Sequence, residues 1–421
     1  MSALGIALGV GAARPGAWWP HGTELAADFA RRRYMARGRQ VALGQAMSFA
    51  RHSVGTAMTE DGICAAFASG APRLGAGGLL LEGAAENALR RSSGFGDTDA
   101  WTAEGNAAVT GNTMKFGALV LEECAVAAPG AFPKFRSADS LVLADGQYGV
   151  ISLFAIAGAA SPIRTHVFDG SGNTASAWTA TGGGFTKDGT IENNPEVTAF
   201  VGDGAEAVGN GVWRLWTSFR NVSGGPLAYQ AAPHLQGTTG VPAMASACWM
   251  GGLQLEKGRW PTSPIVTAGS PAARAADGLS ADMALGPAPS LALAARWLGG
   301  APDSSRLVSL GDGTGDNELG VYLDVAQAAL AYRLVAGGSI TAEGGVGVGD
   351  IERGDRIAMA LRAGAEGLRI FARRNGGAVA GFSGEGLALP FPVRLEVGST
   401  LVVERVLAGG NWADAVLAGH V

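Results

Sequence analysis

The 421-residue sequence predicts an all-β fold: tandem jelly-roll or β-sandwich domains led by a small N-terminal attachment segment. Three observations predict it. The 67 glycines are dispersed without a three-residue period, which excludes collagen and suits many tight turns. Short apolar runs recur every ~8–15 residues between Asp-Gly, Ser-Gly and Gly-Gly signals. Apolar positions alternate with period two, and helical periodicity of useful length is almost absent. With only 16% charged residues the chain is apolar enough to fold rather than stay disordered, and its length suits two or three domains.

Residues 1–23 read as a loosely structured leader. Trp18 and Trp19 precede Pro20 there, and the pair is open between a docking contact and packing onto its own domain. A compact, turn-rich stretch follows, so residues 1–92 are taken together as the N-terminal segment. Residues 93–268 read as one β-sandwich. In YGVISLFAIAG, Val150, Ser152, Phe154 and Ile156 share one face and Ile151, Leu153 and Ala155 the other. Both faces are largely apolar, which places this strand inside the sandwich. RTHVFDGSGNTASAW turns at Asp169–Asn173, and GVWRLWTSFRN and ASACWMGGLQLEKG are further strands. The Pro/Ala/Gly stretch SPIVTAGSPAARAADG reads as a linker. A second sandwich over 269–421 offers eight candidate strands: SLALAARW, RLVSLGD, LGVYLDV, LAYRLVAGG, RIAMALRAG, LRIFARRNGG, VRLEVGS and VERVLAG.

The formal net charge of −5 supplies no basic field for nucleic acid. The run Arg31, Arg32, Arg33 reads as a solvated or inter-chain segment. The N-terminus lacks the basic region of a signal peptide and is too short and glycine-rich to span a membrane. Cys64, Cys124 and Cys248 are odd in number and lack CxxC spacing, so they are expected as core thiols. The sequence contains no HExxH, GxSxG or GxxxxGK[ST]. Asp312-Gly-Thr-Gly-Asp-Asn317 and Asp169-Gly-Ser-Gly-Asn173 have oxygens suited to calcium, but Asp-Gly turns are commoner, so no metal or cofactor is expected.

A series of motifs resembles phage and prophage fibre proteins. It runs from Phe49-Ala50-Arg51-His52-Ser53 through Asp61-Gly62 and Pro72-Arg73-Leu74 to Gly78-Leu79-Leu80-Leu81-Glu82 and Asn87. It continues with Ala100-Trp101, Gly211-Val212-Trp213-Arg214, Gln254-Leu255-Glu256-Lys257-Gly258, Pro261-Thr262-Ser263 and Arg274-Ala275-Ala276-Asp277. It departs from the family pattern at Gly251 and over Gly83–Asn87. In these respects the chain is similar to tail or head fibres and to the head-spike proteins of gene transfer agents. The resemblance implies concanavalin A-like or galactose-binding-like sandwiches. It implies a non-catalytic receptor-binding protein, made in the cytoplasm, built into a particle through its N-terminal segment and released with it. Its partner would be a capsular or surface polysaccharide. Fibre proteins are often trimers, but no heptad supports a coiled coil here, so oligomerisation stays open.

Sugar recognition needs aromatic faces for CH groups and amide, carboxylate or guanidinium groups for hydroxyls. The middle domain offers Trp178, Trp216, Trp249 and Tyr229, with His166, Asp169, Asn173, Arg220 and Gln254 as polar candidates. Alternation puts Arg214, Trp216, Ser218 and Arg220 on one face and Trp213, Leu215, Thr217 and Phe219 on the core face. Gln254 and Glu256 share a face, and are expected to bond backbone where their strand ends. A depolymerase is the enzymatic alternative, but no paired-carboxylate strand motif is present. A ligand-free decoration protein is the structural one.

Overall fold

The computed structural model describes residues 18–19, 22–75, 77–128, 132–156, 162–236, 247–283, 289–299, 305–324, 327–364, 367–384, 394–398 and 400–409. It is all-β, and its strands divide between two units. The first comprises Met1–His52, Gly70–Gly83 and Ala276–Val421, the second Ser53–Ser69 and Ala84–Ala275. These differ from the boundaries 1–92, 93–268 and 269–421, because the N-terminal segment supplies strands to both units instead of standing alone. The stretch read as a linker is also bonded into structure. Ala272–Arg274 pairs antiparallel with Ala85–Asn87.

In the first unit a ten-stranded sheet faces a seven-stranded one. The ten-stranded sheet runs from Arg39–Val41 through Arg33–Ala36, Thr23–Asp28, Leu401–Gly409, Ser290–Trp297, Arg356–Gly364 and Gly367–Arg374 to Ala380–Gly384. Gly78–Leu81 is added beside Leu401–Gly409, and Arg73–Gly75 beside Gly78–Leu81. The seven-stranded sheet has the order Ser339–Gly347, Ala329–Ala336, Glu318–Asp324, Ser305–Gly311, Arg394–Val397, Gly278–Asp282, Ser48–Ala50. Alternation buries one face of each strand. Leu293, Met359, Leu361 and Ile370 from one sheet meet Leu310, Val321, Tyr332 and Leu395 from the other. All eight strands expected here form. Trp18 and Trp19 pack beside Ala26, Met35 and Leu407 of their own unit, with the Arg33 guanidinium 4.9 Å from the Trp18 ring.

In the second unit a six-stranded sheet faces a five-stranded one. The first is ordered Ala107–Phe116, Leu119–Val126, Cys248–Lys257, Tyr148–Ile156, Val212–Asn221, Thr198–Gly209. The second is ordered Ser140–Leu143, Leu227–Ala231, Ile163–Phe168, Asn173–Thr181, Gly184–Glu192. Leu153, Leu215, Phe219, Leu255, Ile163 and Tyr229 lie between them. The hairpin of Gly55–Met58 and Cys64–Phe67 contributes to a second cluster, in which Cys64 joins Phe116, Leu121, Phe154 and Val212. Tyr148–Ile156 is therefore covered on both faces, as its double apolar pattern requires. All three cysteines are free and buried.

The motif series marks buried polar joints. In the first unit Asp277 accepts from Arg51 Nη1 (3.2 Å), from Arg73 and from the Glu82 backbone N–H (2.7 Å). Arg73 Nη1 also donates to Glu82 (2.6 Å). In the second unit the Asn87 amide donates to Leu253 O and Ile265 O and accepts from the N–H groups of Leu89 and Leu255. Gln254 accepts from Ile265 N–H (2.7 Å), and Glu256 accepts from the Thr262 N–H (2.9 Å) and hydroxyl (2.7 Å). Each joint ties separate segments of one sandwich together, and its carboxylates and amides are bonded, as low-dielectric surroundings demand.

Candidate functional site

The nine residues singled out in the middle domain stand mostly inside the second sandwich. Tyr229 is wholly buried between the sheets, and Trp178 is buried with its Nε1 donating to Thr165 Oγ1 (3.1 Å). Neither presents a ring face to a ligand. Gln254 is enclosed in its joint. Asp169 accepts from Ser171 N–H (2.8 Å), Gly172 N–H (2.5 Å) and Thr198 Oγ1 (2.7 Å), which closes the turn before Asn173. Burial raises its pKa, but those hydrogen bonds outweigh burial and hold it below the usual carboxylate value.

His166 and His234 meet edge to face at 4.5 Å, both buried. His166 Nδ1–H donates to Ala232 O (3.0 Å), and Nε2 meets the Asn173 side-chain amide (2.7 Å). Burial pushes His166 down to about 4 and His234 still further below the ordinary range. Both ring nitrogens of His166 thus face oxygens, Ala232 O and Asn173 Oδ1, and a neutral ring donates to one of them.

The face reading of Val212–Asn221 holds: Leu215 and Phe219 enter the core, while Trp216 pairs across the strand with Ser152 and Gly204. That outer face is nonetheless covered at Trp216. The ring of Trp260 packs edge-on at 5.3 Å, and Arg214 Nη1 donates to Thr262 O (2.5 Å). Trp249 is half-buried and packs with the Cys64 cluster, leaving Arg220 as the exposed member of the nine. Trp216 lies so close over Gly204 that a Cβ there would come within 2.6 Å of the indole. Gly204→Ala is expected to displace the ring at a cost of about 1–3 kcal/mol, read by denaturant unfolding and tryptophan fluorescence.

An open site lies instead on the first unit, on the outer face of its seven-stranded sheet. Alternation that sends Leu310, Leu319, Val321 and Leu395 inward sends Ser309, Glu318, Arg394 and Glu396 outward. A depression of ≈ 260 Å³ is floored by Ser309 and Gly311 and walled by Arg306, Glu318, Arg394, Glu396 and the 313–317 turn. Arg394 is fixed by Glu396 (2.9 Å), Asp282 (3.2 Å) and Ser280 (3.2 Å). Arg306 is held loosely, 3.4 Å from Glu318 and 3.6 Å from Glu396, beyond good hydrogen-bond length. Its guanidinium and that of Arg333 each lie 5.9 Å from the Tyr322 ring. The Asp312 carboxylate accepts from Thr314 N–H (2.8 Å), Thr314 Oγ1 (2.6 Å) and Asn317 Nδ2 (2.7 Å). These bonds hold its pKa down to about 2 and shape the turn that forms the rim. Two arginines and two glutamates thus line one depression with charges balanced. Such a set donates to and accepts from hydroxyls. The volume is below the ~300–1,000 Å³ of drug-sized ligand sites and suits a small polar unit.

No family model and no curated protein matches the chain. Among solved structures it is similar to sheep galectin-11 in complex with glycerol: 16% identity, 31% of this chain and 95% of that one, TM-score 0.25. It is also similar to a tail fibre protein of an E. coli phage, at 9% identity over 74% and 40% of the two chains, TM-score 0.22. A xylan β-1,4-xylosidase from Bacillus halodurans aligns at 9% identity over 69% and 74%, TM-score 0.25.

Proposed function

We propose that this chain is a non-catalytic, receptor-binding fibre or spike protein of a phage-like particle, similar to gene transfer agent head spikes, and that its first sandwich binds a capsular or surface glycan. The observation that carries the binding reading is the charge-balanced depression on the seven-stranded sheet, where Arg306 stands at long distance from both glutamates. A sugar hydroxyl entering there gains the Arg306 guanidinium as donor and the Glu318 carboxylate as acceptor, while the tight Arg394–Glu396 pair stays in place. The ordered fibre motifs support the particle setting. Attachment to other particle proteins through the N-terminal segment, and release with the particle, belong to the same reading. Weak single sites would gain avidity from several copies on one particle.

Two glutamates on one depression keep a depolymerase in view, and one experiment separates the readings. Purified protein is incubated with host capsule and lipopolysaccharide, and retention and new reducing ends are measured together. Retention without cleavage is expected, and Arg306→Ala or Glu396→Gln should weaken it at least tenfold, about 1.4 kcal/mol, at unchanged melting temperature. New reducing ends would make the chain an enzyme. Undiminished retention by both variants would remove the depression from the function.

A further inference from the structure

Two of the buried cysteines are neighbours. Cys124 and Cys248 stand directly opposite each other in the antiparallel ladder that joins Leu119–Val126 to Cys248–Lys257. Residues opposite one another in such a ladder point to the same side of the sheet. Here that side is the inter-sheet core, where both thiols are buried with Val126, Met250 and Leu253. Antiparallel partners have Cα atoms ~4.5–5.5 Å apart. Disulfides use Cα separations of ~4.4–6.8 Å. The ladder therefore holds the two side chains at disulfide spacing. The Cys124 thiol donates weakly to Glu122 O at 3.7 Å, a bond easily given up. Cys64 belongs to the other cluster, with Phe116, Leu121 and Phe154, and is left as the odd thiol.

The place of the pair in the sheet gives it a consequence. The hairpin of Ala107–Phe116 and Leu119–Val126 is joined to Cys248–Lys257 along four register pairs, Leu121–Gly251 through Cys124–Cys248. Cys124–Cys248 is the last of these, at the end of the ladder, where strands open most readily.

We infer that Cys124 and Cys248 form a dithiol–disulfide pair, oxidised to a cross-strand bond that staples this hairpin to its sheet. The oxidant is a small disulfide of the glutathione class. When the end of the ladder opens, the Cys248 thiol loses its proton and its sulfur attacks one sulfur of that molecule, releasing one small thiol. Cys124 then loses its proton and attacks the Cys248 sulfur of the mixed disulfide, forming the Sγ–Sγ bond and releasing the second. The protein gives up two protons and two electrons, and the small disulfide is reduced to two thiols. Burial raises the Cys248 thiol to about 12 and Cys124 well above its ordinary value, so the closed fold reacts slowly in either direction. A chain folded under reducing conditions keeps both thiols, and an oxidised one is shielded from reductant by the same burial. Both cysteines belong to the second unit, so the inference stands apart from the glycan depression on the first.

The test takes the full chain, reduced and desalted, into oxidised glutathione, both folded and during refolding from urea. Remaining thiols are counted by alkylation in denaturant, and linked peptides are mapped by mass spectrometry. Of the three cysteines, Cys64 alone should be alkylated, with a Cys124–Cys248 linked peptide and a chain two hydrogens lighter. The bond closes a loop of about 120 residues, so the melting midpoint should stand roughly 5–10 °C higher in the oxidised chain and fall back on reduction. Cys248→Ala should melt alike in both conditions. Three alkylated cysteines after refolding, glutathione retained on one cysteine without a linked peptide, or a link through Cys64 would each overturn the inference. An oxidised chain that melts with the reduced one would overturn the staple. If Cys248→Ala does not fold, the peptide map and the two midpoints of the parent chain decide.

Discussion

Replacing Asp277 by alanine is expected to destabilise the first sandwich by about 3–5 kcal/mol. Its carboxylate is fully buried and accepts from Arg51, from Arg73 and from the Glu82 backbone. Removing it leaves two guanidinium groups inside the protein with one carboxylate, Glu82, still in place. An uncompensated buried charge costs far more than the lost attraction is worth, because its desolvation is no longer offset. At roughly 2–4 °C per kcal/mol for a unit of this size, the melting transition should fall by about 10 °C. Glu343→Ala is the control. Its contact with Arg333 is 3.8 Å long and both side chains are at least half exposed, so a change within about 0.5 kcal/mol is expected. The measurement is urea unfolding of both variants beside the parent. A loss under 1 kcal/mol for Asp277→Ala would show that the joint does not hold the sandwich.

That joint also explains what was legible in the sequence. The motif series was readable because its members recur in order, but a sequence does not show that Arg51, Arg73, Glu82 and Asp277 converge in a buried cluster. Arg and Asp look like surface chemistry until burial is known. The strands were readable because side chains alternate with period two; Leu368, Ile370 and Ala372 face the core as that period requires. Their partners were not, since strand pairing is non-local. Thr23–Asp28 pairs with Leu401–Gly409 near the other end of the chain, which is why a separate N-terminal segment did not survive.

For the binding site, alternation identified residues sharing a face without saying whether that face was open. Trp216 was placed on the outer face correctly, and Trp260 covers it. The depression on the first unit was missed because Arg306, Glu318 and Glu396 come from three separate strands. The signal available was the polar phase of RLVSLGD and VRLEVGS, whose charged residues must face away from the core.

The second large effect concerns acid. The buried rings of His166 and His234 face Arg164 and Lys134, whose positive charges disfavour a proton on either ring beyond the cost of burial. Lys134 is itself paired with Glu104 at 3.1 Å. Unfolded, both histidines take up protons as pH falls through ~6.5. Folded, His166 waits until about 4 and His234 lower still. Below pH ~6.5 the unfolded state therefore binds more protons, and stability is lost as pH falls. It is fully present above ~6.5 and drains away toward the folded values. Two rings together approach a slope of about 2.7 kcal/mol per pH unit, so roughly 3 kcal/mol should disappear between pH 7.5 and 5.5. This window lies above the range in which most carboxylates titrate, and Glu256, which burial raises, acts with the opposite sign. Urea midpoints across the window measure the loss. His234→Phe should reduce the slope toward that of a single proton, since one ring no longer charges on unfolding. A flat profile, or a slope untouched by that substitution, would mean that protons reach the pair in the folded state and that the two rings do not make the second sandwich sensitive to acid.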